Sequence, residues 1–157
     1  MRKDIFIDNN IAKNFSNPMD RQYIRLIAWL MNYNENNSPQ NAYLVVSKKL
    51  IGEYSRTASA ALSSTSIPVL IDKLTREGRL INFKNAEIKE FQQQYFTKTI
   101  TRKLRSNKAD HDHIPIVLMS DRKIALSLDD NLIYDLVHFP GFTVKAEKRP
   151  ENLPYDK

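Results

Sequence analysis

The chain has 157 residues, enough for one domain with its own core, and 41% apolar against 27% charged residues is a globular composition rather than a disordered or fibrous one. There are 24 Lys and Arg against 18 Asp and Glu, a formal charge of +6, which draws polyanions and in many folded proteins serves only solubility. The absence of cysteine excludes disulfides, thiolate metal sites and cysteine nucleophiles, and no apolar run approaches the ~20 residues of a membrane span.

The first element is Ile5-Phe6-Ile7-Asp8, a short apolar run with the character of a buried strand that ends on an acid and turn-forming Asn9-Asn10. Asp4 and Asp8 interrupt this stretch, unlike the uncharged segment of a secretory signal, so a cytoplasmic protein is expected. After Asn17-Pro18, Tyr23, Leu26, Ile27, Leu30 and Met31 recur at helical spacing and predict a helix from about Met19 to Tyr33. Tyr43 to Val46 reads as a second buried strand. Ser47 caps a short helix through Leu50, Glu53 and Tyr54, and the Ala-rich stretch from Arg56 to Leu62 predicts a further short helix.

Ile67, Leu70, Ile71 and Leu74 form the buried stripe of the next helix, which starts near Pro68 and stops at Gly78. Leu80 to Phe83 is a weak third strand. Asn85 to Arg105 predicts one long helical region whose end, with Lys98, Arg102, Lys103, Arg105 and Lys108, is strongly basic. A shorter helix begins at Asp110 or Asp112 and runs to about Ser120. Ile124 to Leu128 is a strand ending on Asp129-Asp130, a helix through Leu132, Leu136 and Val137 follows, and Phe142 to Val144 predicts a last strand. Strands alternating with helices predict an α/β fold, a parallel sheet of about five strands with helices on both faces. The domain spans 1–148, and the Pro-rich end, 149–157, reads as a tail.

In an open parallel sheet, ligands bind outside the carboxyl ends of the strands. Asp8 and Asp129 each follow an apolar strand directly. Glu53 lies one to two turns into the helix after the second strand, and Asp112 in the first turn of the helix before Ile124, so the four acids can converge on one cleft. Converging carboxylates need a cation, and oxygen ligands suit Mg²⁺ or Mn²⁺, which activate water against phosphodiesters. Each acid alone has a plainer reading as a cap, turn or solvated residue.

Together these blocks resemble the PIN-domain nucleases, including the toxins of bacterial toxin–antitoxin pairs. Ile5-Phe6-Ile7-Asp8-Asn9-Asn10 matches the opening strand with its Asp-x-Asn, and Val45-Val46-Ser47 then Glu53-Tyr54 matches the second block. Asp110-His111-Asp112-His113-Ile114 matches the third, and Ile124 to Asp129, with Ser127 two before the acid, matches the fourth. The resemblance covers residues 5 to about 136 and implies a three-layer sandwich that acts as a metal-dependent endoribonuclease on single-stranded RNA. Asp8, Glu53, Asp112 and Asp129 would hold Mg²⁺ or Mn²⁺, while Asn10, Ser127, Asp110 and Asp130 would support them. Cleavage would leave a 5′-phosphate and a 3′-hydroxyl. Asp110 and Asp112 both fit the third acid, and the distance to Asp129 favours Asp112. The toxin branch further implies an antitoxin in the cleft and a homodimer. Pro115 in the third block, where small apolar residues are commoner, keeps a catalytically impaired PIN-like module that binds RNA or protein as the alternative.

Three other features bear on function. His111 and His113 are two apart and point to different sides of a helix, a poor zinc pair. The cations from Lys98 to Lys108 suit an RNA backbone as well as they suit a solvated helix face. A receiver-like signalling domain would need an acid where the second strand ends in Ser47, and no Gly-rich phosphate loop is present.

Overall fold

The structure is a computed structural model that describes residues 1–57 and 63–157. Five short apolar runs become strands: β1 (Lys3–Ile7), β2 (Ala42–Ser47), β3 (Leu80–Phe83), β4 (Ile124–Leu126) and β5 (Lys145–Glu147). All neighbours are parallel, and their order across the sheet is β3-β2-β1-β4-β5. The chain builds outward from β1 to one edge and then crosses back, so the order reverses between β1 and β4. A crevice at such a reversal is where open parallel sheets bind ligands.

Eight helices connect the strands among the described residues: α1 (Asn9–Ala12), α2 (Arg21–Met31), α3 (Lys48–Thr57), α4 (Ile67–Arg76), α5 (Asn85–Tyr95), α6 (Lys98–Lys103), α7 (His113–Leu118) and α8 (Asp130–Val137). Right-handed crossovers put the helices before β3 on one face and those after it on the other. In agreement, α2 packs on α4 and β2, while α7 lies against β1 and β2 between α5 and α8. Ile5, Phe6 and Ile7 of β1 and Leu44, Val45 and Val46 of β2 are fully buried, the run of apolar residues that a strand covered on both faces requires.

Local chemistry sets the helix ends. Asp20 caps α2 by accepting the Gln22 N–H at 2.8 Å, and Asp129 caps α8 by accepting from Asn131 and Leu132. Gly78, at φ 68°, follows α4 in the left-handed region where a side chain would be strained.

The elements depart from the sequence reading at several places. The single helix over 85–105 is broken at Phe96. Thr97 caps a new helix, its hydroxyl accepting the Ile100 N–H at 3.2 Å, so α6 swings away from α5. The last strand is Lys145–Glu147 rather than Phe142–Val144, because Phe142 packs into an aromatic cluster with Phe91, Tyr95 and Phe139. The charged residues of β5 are what an edge strand carries on its open side. Strand β4 stops at Leu126, two residues early. Of the helix expected from Arg56 to Leu62, residues 58–62 lie outside the described residues. The segment after residue 149 lies on the core: Leu153 and Tyr155 are buried, and Tyr155 packs edge-on against Trp29 with ring centroids 5.0 Å apart.

Candidate active site

The reversal between β1 and β4 places two predicted site residues side by side. Asp8 follows β1 and Ser127 follows β4, and the Ser127 hydroxyl donates to Asp8 Oδ2 at 2.6 Å. The other Asp8 oxygen accepts the Asn9 N–H at 2.8 Å, so its carboxylate is held at both ends. Ser127 Oγ also accepts the backbone N–H of Asp129 at 3.0 Å, which fixes the start of α8 beside Asp8. Asn10 completes this frame. Its side-chain oxygen accepts the Leu128 N–H at 3.0 Å, and its amide donates to Ser127 Oγ at 3.4 Å.

Glu53 arrives from α3. The buried Tyr54 beside it donates its hydroxyl to the carbonyl of Ile7, clamping α3 onto the end of β1. Both Glu53 oxygens face Nε2 of His113, at 3.1 and 3.2 Å. One ligating atom each of Asp8, Glu53 and His113 lies within 4.8 Å of the others.

The electrostatics follow from crowding. Burial pushes the Asp8 carboxyl up and the charge of Glu53 adds to this, against the opposing hydrogen bonds of Ser127 and Asn9. Burial also acts to raise Glu53, but the hydrogen bond from His113 and the charges of Lys49 and Arg56 outweigh it and leave the group below its ordinary value. Asp110 is raised, first by burial and then by the charges of Asp8, Asp129 and Glu53. Asp110 is therefore in electrostatic reach of the other three acids.

Asp112 faces elsewhere. Its carboxylate accepts from Gln92 Nε2 of α5 at 2.9 Å and lies 3.6 Å from Lys49 Nζ of α3. Within the 3-10 turn over Lys108–Asp112, Asp112 ties the turn to α3 and α5, while Asp110 feels the charges of Asp8, Asp129 and Glu53. Asp130 is exposed and pairs with Lys148 on the surface.

The basic cluster disperses. Lys98, Arg102 and Lys103 lie exposed on α6, whereas the Arg105 guanidinium sits 3.5 Å from the centroid of the Tyr134 ring. Buried Asp135 accepts the backbone N–H groups of Arg105 and Ser106, which fixes that loop. Lys108 joins Lys89, Gln92 and Asp112 along a trough of about 540 Å³. A second trough of about 530 Å³ shares Lys89, Gln92 and Asp112 with it and continues to Lys48 and Arg56. Lys48, Gly52 and Arg56 are spaced by four and line that trough from one face of α3. This surface, flanking Glu53 in sequence, was not legible as a cluster because its cations come from separate helices.

The donor set suits a hard divalent cation: the carboxylates of Asp8 and Glu53 converge beside His113, with the charges of Asp110 and Asp129 in electrostatic reach, and a cation would relieve the cost of burying that negative charge. Among the described residues no helix is long and apolar enough to cross a membrane.

The sequence matches no family model and no curated protein. Among solved structures, the chain is similar to one from the crystal structure of VapBC2 from Rickettsia felis bound to a DNA fragment from their promoter. The TM-score is 0.56 at 13% identity, covering 92% of this chain and 98% of that one. It is also similar to a chain in the crystal structure of FitAcB from Neisseria gonorrhoeae, with a TM-score of 0.51 at 17% identity over 95% and 99% of the two chains. At these identities the likeness establishes the fold, a PIN-like α/β sandwich with an all-parallel five-stranded sheet.

Proposed function

We propose that this chain is a metal-dependent endoribonuclease that hydrolyses phosphodiester bonds of single-stranded RNA. The observation that carries the reading is the meeting of Asp8 and Glu53 beside His113 at the strand reversal, held by Ser127 and Asn10, with Asp110 and Asp129 in electrostatic reach. Asp110 takes the role that the spacing to Asp129 favoured for Asp112, since Asp112 is engaged by Lys49 and Gln92. Mg²⁺ or Mn²⁺ bound by these acids supplies a Lewis acid for the phosphate and lowers the pKa of water.

The rest of the reaction falls to the chain itself. Ser127 and the Asn9 N–H fix both oxygens of Asp8, so the acid does not reorganise as charge develops. The trough with Lys48, Arg56, Lys89 and Lys108 neutralises backbone phosphates on one side of the acids, and exposed Lys98, Arg102 and Lys103 extend the positive surface. Arg105, stacked on Tyr134, contributes charge but is not free to follow a strand.

The toxin branch follows from the sequence resemblance and is supported by the shared fold with chains of VapBC2 and FitAcB, the former bound to a DNA fragment from their promoter. The chain would be held inactive in the cytoplasm by an antitoxin covering the acids, and would act as a homodimer. The test is incubation of labelled single-stranded RNA with Mn²⁺, with and without EDTA, beside Asp8→Asn. Cleavage stopped by both supports the reading. RNA bound but left intact by the Mn²⁺-loaded protein overturns it in favour of a binding module.

A further inference from the structure

His113 is fully buried, yet its two ring nitrogens have opposite surroundings. Nε2 faces both Glu53 oxygens at 3.1 and 3.2 Å, while Nδ1 is buried with no hydrogen-bond partner among the described residues. The ring is packed against Phe6, centroids 5.6 Å apart, in the core between α7 and β1.

We infer that His113 is a positioning residue: its imidazole donates Nε2–H to the Glu53 carboxylate and stays out of the metal's own ligand set. This rests on the carboxylate site proposed above. A neutral imidazole carries one N–H. With the proton on Nε2, a charge-assisted bond forms to Glu53 and only an acceptor lone pair is left unused at Nδ1. With the proton on Nδ1, a buried donor has no acceptor, and the Nε2 lone pair points at a carboxylate.

Ligation of a cation would demand that second arrangement. A metal-bound histidine presents one nitrogen's lone pair and donates its other N–H to a carboxylate, carbonyl or water. Among the described residues no such acceptor meets Nδ1. The three-residue group of Asp8, Glu53 and His113 is thus two oxygen donors and one supporting group. The residue is 60 positions from Glu53 in sequence, and its role is to place one carboxylate rather than to add a nitrogen to an oxygen-rich site.

The ¹⁵N shifts of the three histidines in the metal-free full-length protein test this directly. His113 is expected in the Nε2–H form, with an unprotonated Nδ1. A His113 in the Nδ1–H form, with Nε2 unprotonated, overturns the inference while leaving the nuclease reading to stand or fall on RNA cleavage. Mn²⁺ titration without RNA gives the second readout. His113→Gln, whose amide can donate to Glu53, is expected to stay within about threefold of wild type, whereas His113→Leu loses roughly 10- to 100-fold in affinity. Equal losses in both variants would mean that the ring itself ligates, and equal retention would mean that Glu53 needs no support. Failure of the wild-type protein to bind Mn²⁺ would sink the metal site and this role with it.

Discussion

The Ser127 hydroxyl and the Asp8 carboxylate, 119 residues apart in the chain, meet at 2.6 Å across the point where the sheet reverses direction. One hydroxyl thereby joins the ends of β1 and β4 and, by accepting the Asp129 N–H, orders the start of α8 as well. Ser127→Ala removes a buried donor and acceptor together. Stability should fall by about 1–3 kcal/mol in urea titration, and RNA cleavage by roughly 10- to 100-fold, because Asp8 and Asp129 lose their shared anchor. Unchanged cleavage by a folded variant would show that the bond is only structural.

Asp8 should trade stability for function. Burial raises its carboxyl above the ordinary value of 3.8, so the folded state binds this proton more tightly than the unfolded state does. Charging Asp8 therefore costs stability as pH rises from the unfolded value through the raised one, and the cost persists at neutral pH. In EDTA, Asp8→Asn should melt higher than wild type at pH 7, with the difference closing as pH falls below that window. Its cleavage should drop ~1000-fold or more, since the charge is worth several kcal/mol to the transition state. Melting curves across pH, with a lower Tm for the variant at pH 7, would contradict this.

Asp110 and Asp112 separate by substitution. Asp110→Asn should abolish cleavage nearly as Asp8→Asn does, because Asp110 shares its field with Asp8, Glu53 and Asp129. Asp112→Asn should retain most activity, since an amide still accepts from Gln92 and only the Lys49 pair is weakened. Single-turnover cleavage by the two variants decides, and the reverse ranking would restore the assignment based on spacing to Asp129.

The trough over α3 and α5 makes a salt prediction. Binding of labelled RNA to Asp8→Asn protein should weaken when Lys48 or Lys89 becomes Ala. The slope of log K against log salt should shrink by about 0.7 for each phosphate that is no longer neutralised. If only Lys98→Ala and Arg102→Ala change the slope, the strand follows α6 instead.

The C-terminal segment contributes to the core. Tyr155→Ala should cost about 3–5 kcal/mol, read by the fluorescence of the single Trp29 against which it packs. A change below about 1 kcal/mol, within the range of an ordinary surface substitution, would show that the Tyr155 ring adds little to the core.

Legibility followed sequence distance. The strand ending at Asp8 and the apolar run before Ser127 were readable, because a buried parallel strand writes itself as consecutive apolar residues and its end marks the site. The break at Thr97 was also written, as a Thr three residues before Ile100, but the apolar row running through it concealed the cap. Strand β5 was not readable, since Lys145 and Glu147 carry an edge strand's charges and Phe142 looked more like a strand residue than a member of an aromatic cluster. That Asp112 meets Gln92 and Lys49 depends on a 3-10 turn, which a period count cannot resolve. The Glu53–His113 and Asp112–Gln92 pairings depend on how helices cross, and nothing local encodes them.

The strand order has a consequence for synthesis. Because β1 lies between β2 and β4, a ribosome that has released the chain only through β3 has made one half of the crevice, with Asp8 lacking Ser127 and with neither Asp110 nor Asp129 present. On the proposed nuclease reading, cleavage would wait until the polypeptide has emerged past Asp129, and a partly translated copy would leave intact the message that encodes it.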